Sequence, residues 1–294
     1  MKNKKITPID KIPLDSDGKN LLFTDEDMPS IKLDNLNLIR SHFINLGLKG
    51  AKINDCKFHH CIFEGCYFRD AEFQNVNFTG SVFKECNFHK ANFQGCCFWY
   101  VRFMRCEINY DEVLQSIPSE PSIAIILLRS LRQNALEMGE KKTADKILVR
   151  EIENEEKELL ARFLARSSYY KKRYRTLERF LALAKFISLK INGWFWGYGL
   201  RLWNLFLTAV VVIVFFAILI CKGGSDAFLT NSGVTIGVSF WQSIYVSAVT
   251  FTSLGFSDIS SKSTYTCILL SVESFLGVVF LGFLAAAVYR KFAR

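Results

Sequence analysis

The sequence predicts a multidomain membrane protein in which a four-sided β-coil is joined through helices to two membrane-spanning helices. Three observations lead to this prediction. Large apolar residues recur every five positions over residues 31–110, and residues 162–190 hold nine basic residues against one acidic residue. Two apolar stretches near the C-terminus are each long enough to cross a bilayer.

The composition excludes some classes of protein. The chain has 294 residues, half of them hydrophobic, and a formal net charge of +9. This much apolar material excludes a disordered chain and a collagen-like chain. Residues 1–30 contain no apolar run of the kind that a secretory signal needs, so we expect them to form a polar, mobile tail.

A repeat of five residues places sixteen positions in one register from Leu33 to Ile108, and every member is large and apolar. Eleven of the 27 phenylalanines occupy it, and six of the nine cysteines lie two positions before a member, where residues are mostly small or apolar. A period of five fits neither a helix nor a strand. It fits a chain that turns a corner every five residues, so that four sides make a coil of about 20 residues and the coils stack at ~4.8 Å.

This register resembles the pentapeptide-repeat family, and the resemblance implies a right-handed quadrilateral β-helix over 31–110. Some members of that family bind topoisomerases through an acidic, DNA-like surface, a role that ten basic and seven acidic residues disfavour here. A spacer, an assembly element and a docking surface for a cytoplasmic protein partner are left open. The register also argues against a metal site in Cys56-Lys57-Phe58-His59-His60-Cys61, because it turns the cysteines inward and the histidines outward.

Residues 111–161 are expected to form a helical hairpin that closes the end of the β-helix. Apolar residues at helical spacing run from Ile123 to Leu136, Met138-Gly139 marks a stop, and Thr143 is predicted to cap a second, glutamate-rich helix. Without such a cap the last coil would expose apolar side chains and unpaired backbone. A DNA-binding helix-turn-helix is the alternative, but seven basic residues against eleven acidic ones disfavour nucleic acid as a partner.

Residues 162–200 contain the basic belt, in which aromatic and aliphatic residues are interleaved. Such a juxtamembrane helix can lie on the anionic inner leaflet of a lipid bilayer. The apolar segment that follows favours the bilayer over nucleic acid as the partner of this belt.

Residues 201–294 contain both predicted spans, 202–221 and 264–289, each long enough for the ~30 Å of hydrocarbon. Basic residues flank the start of the first span and the end of the second. The positive-inside rule therefore places both termini in the cytoplasm, and the plasma membrane, the inner membrane of a bacterium, is the expected location. Between the spans, residues 240–250 are apolar but too short to cross, which predicts a re-entrant half-helix followed by irregular backbone.

This order of elements resembles the pore domain of two-transmembrane potassium channels. The family's Thr-Val-Gly-Tyr-Gly-Asp falls on Ser253-Leu254-Gly255-Phe256-Ser257-Asp258. The resemblance implies a homotetramer around one axis, with filter carbonyls that replace the water around a permeant monovalent cation. We expect no other cofactor and no resident metal. The predicted filter residues are Thr252, Ser253, Leu254, Gly255, Phe256, Ser257 and Asp258.

Two filter positions depart from the family pattern. Ser257 replaces the second glycine, and Phe256 lacks the hydroxyl of the family's tyrosine. Glycine tolerates a left-handed backbone that serine adopts less readily. Serine at this position therefore weakens the expected preference for potassium.

Four residues near the filter are given supporting roles. Trp241 and Glu273 are predicted to brace the half-helix, and ion coordination is the alternative for Glu273. Gly277 and Gly282 are predicted gating hinges, and close helix packing is the alternative for both.

The sequence therefore predicts a tetrameric cation channel, with potassium favoured, whose cytoplasmic β-helix serves assembly, partner docking or gating. A sodium-conducting or non-selective channel is the first alternative. A membrane-tethered interaction scaffold with a vestigial pore is the second. No nucleophile–base arrangement or phosphate loop points to an enzyme, so we expect no catalytic residue.

Overall fold

The computed structural model describes residues 17–166, 168–200, 202–222, 228–230, 235–236, 239–254, 259–261 and 263–292. The chain divides into two compact units, Met1–Phe186 and Ile187–Arg294.

Short parallel strands build the N-terminal part of the first unit, and each contains three residues. They are β1 (Asp17–Lys19), β2 (Leu22–Thr24), β3 (Lys32–Asp34), β4 (Asn37–Ile39), β5 (His42–Ile44), β6 (Lys52–Asn54), β7 (Lys57–His59), β8 (Ile62–Glu64), β9 (Glu72–Gln74), β10 (Val82–Lys84), β11 (Asn92–Gln94) and β12 (Arg102–Met104).

The strands stack on one another with an offset of twenty residues. Three faces of the coil have the strand orders β1-β4-β7, β2-β5-β8-β10-β12 and β3-β6-β9-β11. On one face Phe63 pairs with Phe83. The fourth face is held by isolated bridges, such as that between Gly47 and Tyr67. The parallel β-solenoid predicted from the period of five is thus confirmed.

The corners of the coil have a left-handed backbone. Every fifth residue from Asn20 to Arg105 has a positive φ, between 51° and 73°. Asparagine, aspartate and glycine tolerate this conformation and fill eleven of the eighteen corners. At Gly80 a side chain would also collide, because a Cβ there would lie 2.3 Å from Nδ1 of His60.

The phenylalanine column fills the axis of the coil. Phe23, Phe43, Phe63, Phe83 and Phe103 stack along one side, with successive ring centroids 4.9, 4.4, 4.8 and 5.2 Å apart. All five rings are buried. Burial of aromatic rings at this density removes much apolar area from water and makes this column the main source of the solenoid's stability.

The solenoid begins earlier than the predicted boundary at residue 31. Strands β1 and β2 lie within the segment 1–30 that was predicted to be a mobile tail, and Phe23 is fully buried against Phe43. The register of five extends backward through Met28, Phe23 and Gly18. Charged residues around Phe23 and Met28 give this segment the composition of a polar tail. The predicted tail over residues 1–16 lies outside the described residues.

A helical hairpin closes the C-terminal end of the solenoid. After α1 (Tyr110–Gln115) come α2 (Pro121–Glu137) and α3 (Lys141–Phe163). The hydroxyl oxygen of Ser130 accepts the N–H of Phe103 at 2.7 Å, and the Asn134 amide accepts the N–H of Cys106 at 2.7 Å and donates to its carbonyl at 2.8 Å. These bonds satisfy backbone groups that have no further coil to pair with.

The turn of the hairpin differs in one detail from the prediction. Helix α2 ends at Met138, and Gly139 adopts a left-handed φ of 79°, as a helix stop requires. The N-cap of α3 is Glu140, however, so Thr143 lies inside the first turn and does not cap the helix. The shorter connection tightens the hairpin and brings α3 directly alongside α2.

Two further helices follow the hairpin. Helix α4 (Ser168–Arg173) is short, and α5 (Thr176–Trp196) begins in the first unit and ends in the second. A single 3₁₀ turn over Gly197–Gly199 then redirects the chain.

The second unit contains two helices that are long and apolar enough to cross a membrane. They are α6 (Leu202–Cys221) and α8 (Thr264–Phe292), and the shorter α7 (Phe240–Phe251) lies between them in sequence. The small antiparallel strands β13 (Phe228–Thr230), β14 (Thr235–Ile236) and β15 (Ile259–Ser261) pair with one another. The two apolar segments thus form helices with the predicted bounds, except that α8 extends three residues further.

Candidate functional site

Helix α7 has a well-defined start. The Ser239 hydroxyl oxygen accepts the N–H of Gln242, and the Gln242 side-chain oxygen accepts the N–H of Ser239 at 2.9 Å, which together form a capping box. Twelve residues at 1.5 Å each give a helix of about 18 Å, roughly half the hydrocarbon thickness of a bilayer. Helix α7 is therefore a half-helix, starting at the residue that the sequence predicts.

One polar contact joins the three helices of the second unit. Ser247 on α7 lies at hydrogen-bond distance from the carbonyl oxygen of Ile213 on α6, 2.9 Å away, and its hydroxyl also meets the Oε1 atom of Glu273 on α8. Ser247 and Glu273 are both fully buried. A hydrogen bond between buried polar groups costs much to break, because each group would be left without a partner in apolar surroundings.

Glu273 therefore lies where a bracing residue would lie. Its second carboxyl oxygen, Oε2, has no hydrogen-bond partner among the described residues. Buried carboxyl groups within apolar helices are costly and usually mark a function. The contact with Ser247 agrees with bracing of α7, while the predicted alternative of ion coordination remains untested.

Gly277 allows α8 to approach the end of α7 closely. A Cβ atom on Gly277 would lie 1.9 Å from the carbonyl oxygen of Phe251, the last residue of α7. No side chain fits at this distance, so only glycine permits the contact. The ring of Phe251 packs beside Phe280 on the next turn of α8, with centroids 5.4 Å apart. Close packing at Gly277 is thus visible, while its predicted role as a hinge stays a prediction.

The chain leaves α7 through exposed residues that begin the predicted filter. The hydroxyl of Thr252 donates to the carbonyl oxygen of Ala248 at 2.7 Å and so helps to end the helix. Ser253 has a left-handed φ of 56°, and the side chain of Leu254 is exposed. The remaining predicted filter residues, Gly255, Phe256, Ser257 and Asp258, lie outside the described residues.

The segment after the predicted filter pairs with a strand that comes before α7. Strand β15 pairs with β13, so that Ile259 lies opposite Thr230. Phe228 on β13 is fully buried and joins a small core with Ile220 and Val246. The two ends of the connector between α6 and α8 are therefore held together, and the sequence analysis did not foresee this sheet.

Trp241 and Gly282 make fewer contacts than their predicted roles suggest. The Trp241 side chain is 78% exposed, and its ring meets that of the neighbouring Phe240 at 5.8 Å. No described atom comes within 4 Å of the place where a Cβ on Gly282 would stand. Bracing of α7 by Trp241 would thus require contacts with atoms other than the described residues of this chain. The hinge at Gly282 stays a prediction.

The cysteine- and histidine-rich segment in the solenoid has the arrangement that the repeat predicts. Cys56 and Cys61 are buried and donate to the carbonyl oxygens of Leu33 and Leu38 at 3.4 and 3.3 Å. Burial raises the pKa of the Cys56 thiol to about 11, and burial also lowers the pKa of His59. A thiol kept protonated in this way is a poor nucleophile and a poor metal ligand.

Comparison with known proteins supports the repeat region. Residues 21–113 match the family described as "Pentapeptide repeat region". No curated protein matches the chain. The chain therefore carries a pentapeptide repeat region together with two helices that could span a membrane, a combination consistent with a membrane-associated repeat protein.

Two solved structures are similar to part of the chain. Both are trypsin-treated forms of QnrB1, described as a plasmid-mediated fluoroquinolone resistance protein. The first is 20% identical, with a TM-score of 0.17. The match covers 32% of this chain and 57% of the QnrB1 chain, less than two thirds of that protein. The second is 14% identical, with a TM-score of 0.10, and the match covers 31% of this chain and 73% of the QnrB1 chain.

Proposed function

We propose that this chain is one subunit of a tetrameric membrane channel for monovalent cations, with potassium the favoured ion. The observation that supports this best is the half-helix α7, which packs on both α6 and α8 and leads into exposed backbone at Thr252. A helix of this length has no evident use as a membrane span, whereas a re-entrant half-helix is used to present a filter.

The orientation of α7 suits a cation. The C-terminal end of a helix has an effective partial negative charge of about half an electron. This end of α7 is fixed by the contact of Phe251 with Gly277 and by the hydrogen bond between Ser247 and Glu273. A fixed dipole that points toward the ion path would stabilise a cation there without a charged side chain.

The solenoid would serve as the cytoplasmic part of this channel. Its inward positions are filled by a packed core, so it offers its outer faces to a second subunit or to another protein. Because the solenoid is a rigid element fused to the pore, its outer faces could serve assembly, docking or gating. The channel would lie in the inner membrane of a bacterium, with both termini on the cytoplasmic side.

The test is a reversal potential measured with the purified full chain in a planar bilayer between asymmetric potassium and sodium solutions. A value at the potassium equilibrium potential is the expected result. A value near zero or at the sodium equilibrium potential would replace potassium with non-selective or sodium conduction. Absence of monovalent-cation current in every condition would contradict the channel and favour a scaffold.

A matched pair of variants links any current to the predicted filter. Gly255→Asp places a larger, charged side chain where the family pattern has its first glycine, and we expect it to abolish the current. Gly139→Asp makes the same substitution in the turn between α2 and α3, where a Cβ would meet nothing within 4 Å and aspartate tolerates the left-handed backbone, and it should leave the current within about twofold. A current that survives Gly255→Asp unchanged would contradict the filter assignment.

A further inference from the structure

One face of α5 is apolar along its whole length and is exposed. Its members are separated by one, three or four residues, which keeps them on one side of a helix. Leu177 is 74% exposed and Trp194 is 63% exposed, although both are large and hydrophobic. The members of this face, which we call the apolar stripe of α5, are Leu177, Phe180, Leu181, Ala184, Ile187, Ile191, Trp194 and Phe195.

The opposite side of α5 packs against α3 in the first unit. The Lys185 amino group pairs with the carboxylate of Glu155 at 2.7 Å, and the guanidinium of Arg179 donates to the carbonyl oxygen of Phe163 at 2.8 Å. Between them, Ala182 is buried. Together with an edge contact between the rings of Phe180 and Phe163, 6.3 Å apart, these contacts fix the rotation of α5 on α3 and leave most of the apolar stripe uncovered.

The basic belt is divided by this packing into two parts. Arg162 pairs with Glu158 and lies over the ring of Tyr174 at 5.0 Å, so like Arg179 and Lys185 it is engaged by contacts within the chain. Lys171 and Lys172 on α4 and Arg175 just before α5 are exposed instead. Exposed cationic residues therefore directly precede the apolar stripe in the chain.

The other end of the apolar stripe is connected to α6 by a constrained turn. Gly197, Tyr198 and Gly199 all have positive φ values of 55°, 57° and 75°. The hydroxyl of Thr208 on α6 lies 2.8 Å from the carbonyl oxygen of Phe195 and can donate to it. The last turn of α5 is thus held beside a helix that is apolar enough to cross a membrane.

We propose that the apolar stripe of α5 lies in the interface of an anionic phospholipid bilayer, with Lys171, Lys172 and Arg175 at the lipid headgroups. An exposed apolar face flanked by cations and continuous with a membrane span has the features of an interfacial helix. Anionic headgroups attract each nearby lysine or arginine, which adds to the burial of the apolar side chains. The inference depends on the proposed function only in requiring that α6 spans the membrane.

The test uses the full chain in lipid nanodiscs that contain a photoactivatable phospholipid, with cross-linked residues mapped by mass spectrometry. Phosphatidylcholine alone is compared with a mixture containing phosphatidylglycerol. We expect lipid cross-links on Leu177, Phe180 and Ile187 that increase with phosphatidylglycerol. In Lys171→Gln/Lys172→Gln the apparent affinity for phosphatidylglycerol should fall about fivefold for each lysine.

A matched control removes the same charge elsewhere. Lys142 and Lys146 are exposed on α3, and Lys142→Gln/Lys146→Gln should leave the lipid dependence unchanged. A second variant, Phe180→Asp, should remove cross-links from the apolar stripe while the far-ultraviolet circular dichroism spectrum stays the same.

The outcomes separate this inference from the channel proposal. Lipid cross-links on α6 without any on α5 would overturn the interfacial helix and leave the spans intact. An apolar stripe that is labelled in nanodiscs holding one chain but not in nanodiscs holding several would overturn it in favour of a second copy as the partner. Absence of lipid cross-links on α6 as well would contradict the membrane span itself, and both proposals with it.

Discussion

The solenoid and the apolar helices differ in how much of their apolar surface is buried by contacts within one chain. In the solenoid every inward residue of the register from Leu33 to Ile108 is buried, and the hairpin pairs with backbone groups of the last coil. In the second unit, only 11% of the apolar stretch of α8 is buried within the chain, and Phe275 is 69% exposed. A soluble protein rarely leaves so much apolar surface uncovered.

The difference teaches where each part obtains its stability. The solenoid folds on its own contacts, since its hydrophobic surface is removed from water by the same chain. Most of the apolar surface of α8 is not covered by the described residues of one chain. Substitutions should therefore act through internal packing in the first region and mainly through the surroundings in the second.

The largest expected effect comes from shortening one ring in the solenoid. Phe83 is stacked between Phe63 and Phe103 at 4.8 and 5.2 Å, so Phe83→Ala would leave a cavity in the axis. We expect the free energy of unfolding to fall by about 3–5 kcal/mol. Urea unfolding of the purified full chain in detergent, followed by circular dichroism, measures this loss.

The matched control is Phe275→Ala on the exposed face of α8. It removes the same ring from a side chain that contacts little within the chain, so the free energy of unfolding should change by less than about 1 kcal/mol. Equal losses for the two variants would contradict the contrast, because Phe275 would then have an internal partner.

An intermediate effect is expected where the second unit does have internal packing. Gly277→Ala places a methyl group against the carbonyl oxygen of Phe251 and must push α8 from α7, at a cost of about 1–3 kcal/mol. Gly282→Ala adds the same methyl group in open space. It should stabilise α8 by up to about 1 kcal/mol, because alanine favours a helix.

Thermal unfolding of the two glycine variants in the same detergent checks this prediction. The melting temperature of Gly277→Ala should fall while that of Gly282→Ala stays or rises. If the melting temperature fell equally in both variants, the close contact of Gly277 with α7 would not explain the effect of a methyl group at that position.

The smallest expected effect is a loss of solenoid stability at high pH. Burial raises the pKa of both Cys56 and Cys96 to about 11, from an ordinary value near 9. Between these values the folded state holds protons that the unfolded state has lost, so stability decreases as pH rises through this range. We expect a loss of about 1 kcal/mol for each thiol at pH 10.

Alanine occupies the equivalent inward position at Ala51, Ala71 and Ala91, so Cys56→Ala/Cys96→Ala should fold and show a weaker dependence on pH. Cys221→Ala removes an exposed thiol outside the solenoid and should leave the dependence unchanged. Urea unfolding at pH 8 and pH 10 measures the difference. A double variant as sensitive as the original chain would contradict a role for these thiols.

The sequence predicts the solenoid well because its signal is repeated sixteen times. The inward residues are set by packing alone, so the period shows them directly. The start was missed because Gly18 is not large and because charged residues around Phe23 and Met28 give this segment the composition of a polar tail. The corners could have been predicted too, since asparagine, aspartate and glycine fill eleven of the eighteen corner positions.

The second unit is predicted less completely, because its contacts join residues far apart in sequence. Hydropathy alone gives α6 and α8, and the short apolar run gives α7. Nothing local in the sequence pairs Ser247 with Glu273 or brings Phe251 against Gly277. The pairing of β13 with β15 was missed for the same reason, since three-residue strands have too little alternation to be recognised.

Because stacked partners are twenty residues apart, the length of the solenoid is set in whole coils of twenty residues. Asn54 donates to Asp34, and Asn75 donates to Asp55, each across one complete coil. Insertion or deletion of twenty residues would lengthen or shorten the solenoid by one coil and leave every later residue on the same face. A change of five residues would instead rotate the terminal hairpin by a quarter turn, so evolution can adjust the length freely only in whole coils.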